Sequence, residues 1–317
     1  MFGLKSDCIL DVPDEYYTLG DYESAVARWC PGCGDHGILT SVQRLCREKQ
    51  LPPEKTMFVS GIGCSSRFPH YMKTYGFHGL HGRALPVASG IKFRRPDLHV
   101  FVATGDGDCC SIGAGHWIHA IRYNMKMTVM MFDNEIYGLT KGQTSPTSRV
   151  GTISNTNPKG SFLPPLNPIQ TTLGVSNVSF VAQTIDWNPA HLYATIEAAY
   201  EHPGFSFIRV LQRCPVFQKD RYDSTISNPA LVKLLQHDNG IKLDDAVAKM
   251  YKNVVSHDPS DIHAARELAE DQDNIVIGLF YQDKTKPRHD EYGAHNMGIS
   301  PADKESAINR ELDKFAV

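Results

Sequence analysis

The sequence has no apolar run approaching the roughly 20 residues that a membrane helix needs. Its longest, Met125 to Phe132, is broken by Lys126 and Thr128. It also lacks a basic excess: 32 Lys and Arg stand against 35 Asp and Glu, a net −3, which argues against a dedicated nucleic-acid binder. Cysteine is sparse, 8 in 317 residues, far below the density of a disulfide-stapled secreted domain. The opening Met1-Phe2-Gly3-Leu4-Lys5-Ser6 stretch has neither the apolar core nor the cleavage site of a secretory leader, so the cytoplasm is the expected compartment. What remains is an ordinary globular composition, 41% hydrophobic and 21% charged, long enough for one large domain or two modest ones.

Apolar, β-branched runs alternate with helical patterns. Thr56–Ser60, His99–Ala103, Thr128–Phe132 and Phe205–Leu211 read as short buried strands, each ending at Gly, Asp, Asn or Arg-Cys-Pro. Gly34–Lys49, Ile112–Tyr123 and Pro189–Tyr200 carry helical spacing of apolar positions. Such alternation predicts an α/β fold: a parallel sheet with helices on both faces and ligands at the carboxyl ends of the strands. Thr144–Val175 is rich in Ser, Thr, Asn, Pro and Gly and reads as a functional loop. Beyond Asn239 the chain becomes charged, with one apolar strand-like run at Ile275–Tyr281 and a polar tail from Asp283. The expected division is a domain over 1–240 and a C-terminal extension over 241–317, packed on the core or on a partner.

The strand at His99–Ala103 runs into Thr104-Gly105-Asp106-Gly107-Asp108. Glycines there let the backbone approach a phosphate, and the following helix start offers free N–H groups. A bare diphosphate would be repelled by Asp106 and Asp108, so the pattern makes sense with a divalent cation between carboxylate and phosphate. Magnesium suits such all-oxygen coordination. The next strand ends at Asp133-Asn134-Glu135-Ile136-Tyr137-Gly138, where the Asn134 side chain and the Ile136 carbonyl can supply two more oxygens. Adjacent parallel strands would bring both loops to one crevice.

Four cysteines stand in glycine and proline settings: Cys30-Pro31-Gly32-Cys33, Gly61-Ile62-Gly63-Cys64-Ser65 and Arg213-Cys214-Pro215. Four thiolates can hold zinc or an iron–sulfur cluster. One tight pair joined by two distant singles suits a cluster better than zinc, which is usually held by two tight pairs. Cys109 and Cys110 read as buried thiols opening a helix, Cys46 as core and Cys8 as surface.

Gly105-Asp106-Gly107 followed by Asn134 resembles the thiamine pyrophosphate motif. Together with Trp29-Cys30-Pro31-Gly32-Cys33-Gly34, Gly61–Arg67, Leu80-His81-Gly82-Arg83-Ala84 and Arg213-Cys214-Pro215, in that order over residues 18 to 235, the chain resembles the β subunits of 2-oxoacid:ferredoxin oxidoreductases, the 2-oxoglutarate enzymes above all. The resemblance implies a thiamine pyrophosphate-binding fold, with Mg²⁺ on Asp106, Asn134 and the Ile136 carbonyl. It implies Ile62, Gly63, Cys64, Ser65, His81, Gly107, Asp108, Gly138 and Leu139 around the cofactor, and one [4Fe–4S] cluster on Cys30, Cys33, Cys64 and Cys214. Arg67 is the cation expected to meet a 2-oxoacid carboxylate. His81 and Arg83 fall in a turn that the resemblance places at the cofactor, whereas His70, His116 and His119 read as packing residues.

The activity so implied is the reversible, coenzyme A-dependent oxidative decarboxylation of 2-oxoglutarate to succinyl-CoA and CO2, with electrons passing to ferredoxin. The glutamate that assists thiamine is assigned to a separate α subunit, in an αβ or (αβ)2 assembly. Three other readings compete: a pyruvate or branched-chain 2-oxoacid enzyme, a thiamine decarboxylase with structural zinc, and a non-catalytic electron-transfer or assembly subunit.

Overall fold

The computed structural model describes residues 16–243, 245–294 and 300–315; Cys8 lies outside them. Eleven strands are seen among these residues: β1 (Thr56–Ser60), β2 (Tyr75–His78), β3 (His99–Gly105), β4 (Met127–Asp133), β5 (Ile136–Tyr137), β6 (Gln143–Thr144), β7 (Phe180–Ile185), β8 (Phe205–Leu211), β9 (Val232–Gln236), β10 (Asn253–Ser256) and β11 (Ile275–Gln282). Nine of them form one sheet in the order β10-β9-β11-β7-β8-β4-β3-β1-β2, while β5 and β6 make a separate hairpin. Every pairing in the large sheet is parallel except β11 with β7. The sheet continues across position 240, since β9 precedes it and β10 and β11 follow.

β4 is buried along its whole length, as a strand covered on both faces must be. Val129 and Met131 enter one core, and Met130 and Phe132 the other. Helices α1 (Asp35–Glu48) and α5 (Pro189–Glu201) cover the second of these cores through Ile38, Val42, Leu192 and Ile196. The opposite face is covered by α2 (Ala84–Arg94), α3 (Ala114–Tyr123), α4 (Pro168–Leu173) and the helix Ile262–Ala269. No helix among the described residues is long and apolar enough to cross a membrane.

The register brings five loops to one edge. Ser60 pairs with Ala103, Gly105 with Phe132, Asp133 with Leu211 and Ile185 with Leu211. The segments that follow β1, β3, β4, β8 and β7 therefore leave the sheet side by side at its carboxyl end.

Two histidines on the α5 side are buried without a charge partner. His191 Nδ1 meets Thr184 Oγ1 at 2.8 Å and His202 Nε2 meets Ser179 Oγ at 2.9 Å. Burial lowers His191 to about 3 and His202 to about 4. Both rings are neutral when folded, while the unfolded chain takes up protons near pH 6.5, so stability is greatest above that pH and is lost as pH falls toward the folded values. Each ring should contribute a slope of up to about 1.4 kcal/mol per pH unit. Urea midpoints of the chain are expected to fall between about pH 6.5 and about pH 5, and less steeply in His191→Gln; equal slopes would contradict this origin.

Candidate active site

The loops at the carboxyl edge form a cleft open to solvent. It is lined by Ile62, Gly63, Cys64 and Ser65 after β1, by His81, by Asp106, Gly107 and Asp108 after β3, and by Asn134, Ile136, Gly138 and Leu139 after β4. Every residue expected around thiamine pyrophosphate and magnesium thus meets at one cleft. The structure does not bring Arg67 there. Its Nη1 donates to the Arg28 carbonyl at 3.0 Å, and its guanidinium lies 5.7 Å from the Tyr71 ring centroid.

Asp106 is 2% exposed, and among the described residues no Lys or Arg pairs with it. Its Oδ2 accepts from Thr147 Oγ1 at 2.7 Å, and the same hydroxyl lies 2.9 Å from Asp133 Oδ1. Arg209 neutralises Asp133, with Nε at 2.7 Å and Nη2 at 2.6 Å, and leaves Asp106 without a cation. Burial, then the Asp133 charge, raise Asp106 above the usual carboxylate range. Its carboxyl, beside an asparagine and a backbone carbonyl, has the all-oxygen donor chemistry that magnesium takes, and a bound cation would favour the ionised form. Asn134 Oδ1 accepts from Ile136 N–H at 3.1 Å, a local turn that holds the asparagine against the β5 backbone. Glu135 between them sits at φ +59, in the left-handed region, and is clamped by Arg221 in a two-point ion pair.

Asp108 organises the cleft wall. Its carboxylate accepts from Ile62 N–H at 3.1 Å, Gly82 N–H at 2.7 Å and Thr104 Oγ1 at 2.7 Å, so it ties the loop after β1 and the His81 turn to β3. His81 Nδ1 stands 2.7 Å from Asp108 Oδ1, a close contact without hydrogen-bond alignment. Close approach also fixes two glycines: a Cβ on Gly61 would lie 2.0 Å from Asp108 Oδ2, and one on Gly107 would lie 2.2 Å from Tyr137 Cε1. The helix expected from Ile112 begins at Ala114, because Asp108–Ile112 form a wider turn that seats the buried Cys109 and Cys110. Cys46 is fully buried in the core.

The Cys30–Cys33 loop leads into α1 and is tied to the same edge. Trp29 Nε1 donates to the Cys64 carbonyl at 2.7 Å, Gly34 N–H to the Arg213 carbonyl at 3.3 Å and Gln212 Nε2 to Cys33 Sγ at 3.2 Å. Burial raises the Cys33 thiol, with Asp35, Cys64 and Cys214 adding to the effect. Cys64 is pushed up to about 12 by burial, then by Asp35, Cys214 and Cys30. The four sulfurs are therefore electrostatic neighbours. Among the described residues, however, no three His, Cys, Asp or Glu side chains group closely enough to share one metal ion. Of the four thiols, Cys64 lines the cleft, where a Cβ on Gly138 would lie 3.4 Å from its sulfur.

Three contributors were missed in the sequence. Tyr137 closes the cleft beside Gly107, with its hydroxyl donating to the Gly107 carbonyl at 3.1 Å. Gln212 lines the cleft from the end of β8. Thr147 comes from the Thr144–Val175 loop, where the Ser145-Pro146-Thr147-Ser148 hydroxyl cluster was the available signal.

Comparison with known proteins agrees with this geometry. Residues 61–210 match the family model of the thiamine pyrophosphate enzyme C-terminal binding domain, and residues 244–295 match that of the C-terminal part of the pyruvate ferredoxin oxidoreductase β chain. A 2-oxoacid:ferredoxin oxidoreductase β subunit from Sulfolobus sp. is 39% identical over 269 residues, covering 83% of this chain and 84% of that protein. The chain belongs to the 2-oxoacid:ferredoxin oxidoreductase β subunits. The 2-oxoglutarate oxidoreductase subunit KorB of Mycobacterium tuberculosis is 48% identical over 197 residues, 62% of this chain; the match spans 52%, about half, of that relative's length. The solved structure of a 2-oxoglutarate:ferredoxin oxidoreductase from Magnetococcus marinus, with 2-oxoglutarate, coenzyme A and succinyl-CoA bound, superposes with a TM-score of 0.79 at 38% identity. It covers 93% of this chain and 96% of its own. The doubly covered sheet is thus the thiamine pyrophosphate-binding fold of this family.

Proposed function

We propose that the chain is the β subunit of a 2-oxoglutarate:ferredoxin oxidoreductase, which interconverts 2-oxoglutarate plus coenzyme A with succinyl-CoA plus CO2 and exchanges the electrons with ferredoxin. The observation that carries this reading is the position of Cys64, which lines the cleft while its carbonyl accepts from Trp29 beside Cys30, and Gly34 beside Cys33 donates to the Arg213 carbonyl beside Cys214. Bound thiamine pyrophosphate supplies the nucleophilic carbon and the electron sink for decarboxylation. Asp106, Asn134 and the Ile136 carbonyl are assigned to its magnesium. Cys30, Cys33, Cys64 and Cys214 are assigned to a [4Fe–4S] cluster, for which four Cys thiolates are the usual ligand set. Thiols kept for such a cluster suit the reducing cytoplasm.

His81, held against Asp108, faces the cleft and is assigned to the reacting end of the cofactor. Arg67, whose charge is felt by the Cys64 thiol and the Asp35 carboxyl, is assigned to the substrate carboxylate. The glutamate that thiamine needs is assigned to an α subunit, which would close the cleft. The segment over 241–317 is read as reaching a partner through its last helix, Pro301–Asp313, and the residues after it, where Ile308, Leu312 and Phe315 are exposed at helical spacing.

The test is turnover of a reconstituted αβ complex with ferredoxin, coenzyme A and either 2-oxoglutarate, pyruvate or 2-oxoisovalerate. We expect 2-oxoglutarate to be the preferred substrate and the isolated β chain to be inactive. Preference for pyruvate would move the chain to the other branch of the family, and turnover by the β chain alone would overturn the shared site.

A further inference from the structure

One side chain at the end of β8 touches both the cleft and the thiols. Gln212 is 2% exposed, lines the cleft, and places Nε2 3.2 Å from Cys33 Sγ. Its backbone N–H donates to the Asp133 carbonyl at 2.9 Å, which anchors the root of the side chain on β4. Nε2 also donates to the Arg213 carbonyl. An amide has two N–H donors on one side and a carbonyl acceptor on the other. Turned over, its oxygen would face a carbonyl oxygen and a sulfur, both acceptors, so only the observed orientation satisfies the group. The Arg213 carbonyl is itself held in place, by Gly34 N–H and by the Arg213 guanidinium on Asp186 at 3.0 Å. Among the described residues no other side chain donates a hydrogen bond to Cys30, Cys33, Cys64 or Cys214.

We propose that Gln212 is a positioning residue that tunes the reduction potential of the iron–sulfur cluster, making it easier to reduce. The inference rests on the cluster assigned above to the four thiols. Reduction adds one negative charge, part of which resides on the ligand sulfurs. A hydrogen bond strengthens as its acceptor becomes more negative, so a fixed N–H on Cys33 stabilises the reduced form more than the oxidised one. Burial of the amide keeps water from replacing that donor when it is removed. Gln212 also stands where the cleft meets the thiols.

The test is an anaerobic potentiometric titration of the αβ complex, with titanium(III) citrate as reductant and the paramagnetic signal of the reduced cluster as readout. Gln212→Leu is expected to be about tenfold harder to reduce, a midpoint lower by about 59 mV for one electron, with iron content unchanged. Gln212→Glu, which keeps the size and sets an acceptor where the donor stood, is expected to shift the midpoint in the same direction; it serves also if the leucine variant loses iron. An unchanged or raised midpoint in an iron-replete variant overturns the proposal. A wild-type complex with no reducible cluster overturns the cluster assignment instead, a separate failure visible before any variant is made.

Discussion

Asp106→Ala is expected to lower thiamine pyrophosphate affinity and turnover of the αβ complex by more than about a hundredfold. Loss of a residue that merely supports a metal ligand costs about 10–100-fold in metal affinity, and Asp106 is assigned as a ligand itself. It is a cleft carboxylate that, among the described residues, no Lys or Arg neutralises: Arg209 is committed to Asp133 and Arg221 to Glu135. Without it, magnesium would have to bind the diphosphate through a neutral side chain and a carbonyl alone. Cofactor affinity measured by fluorescence titration at fixed magnesium is the check. Affinity within about threefold of wild type, well inside the cost of an outer partner, would mean that the diphosphate is held elsewhere.

Cys64→Ser should abolish ferredoxin reduction and the brown colour together, while leaving thiamine pyrophosphate binding largely intact. Serine keeps the shape of the cleft wall but offers iron a poor ligand in place of a thiolate. Anaerobically purified wild-type complex should carry about four irons per β chain on these thiols, and the variant far fewer. Zinc in place of iron, colourless and without a paramagnetic signal, would convert the four thiols into a structural site. Iron retained in full by the variant would remove Cys64 from the ligand set.

The sheet was readable because largely buried parallel strands leave short, mostly apolar runs: those at Thr56–Ser60 and Phe205–Leu211 are β1 and β8, residue for residue. The edge strand β2 left no such run. Tyr75-Gly76-Phe77-His78 is exposed along its length, pairs in the sheet only with β1 and is pinned further by His78 Nδ1 near Ser60 Oγ and the Ser66 carbonyl. Asp106 and Asn134 were legible because glycine, aspartate and asparagine at successive strand ends have few other reasons to recur in that order, whereas Ile62 to Ser65, His81, Gly138 and Leu139 came from the family resemblance. Gln212 was not legible, since an isolated glutamine carries no local pattern, and the hydroxyl cluster at Ser145–Ser148 marked a loop without showing what Thr147 meets; each acquires its role only when the fold brings it against Asp106 or Cys33. Asp108 was legible as a cleft residue but not as the joint between three segments, which depends on backbone N–H groups that sequence does not display. For Arg67, three residues from Cys64, the structure shows the guanidinium on the Arg28 carbonyl, so its assignment to a substrate carboxylate rests on the proposal and not on the cleft geometry.

The most direct measurement follows the electrons from substrate to the four thiols. Anaerobic αβ complex loaded with thiamine pyrophosphate and magnesium is mixed with 2-oxoglutarate and frozen for paramagnetic resonance, without ferredoxin or any external reductant. The account predicts a reduced-cluster signal that requires the substrate and is absent in both Asp106→Ala and Cys64→Ser. A complex that releases CO2 from 2-oxoglutarate while its cluster stays oxidised would contradict it.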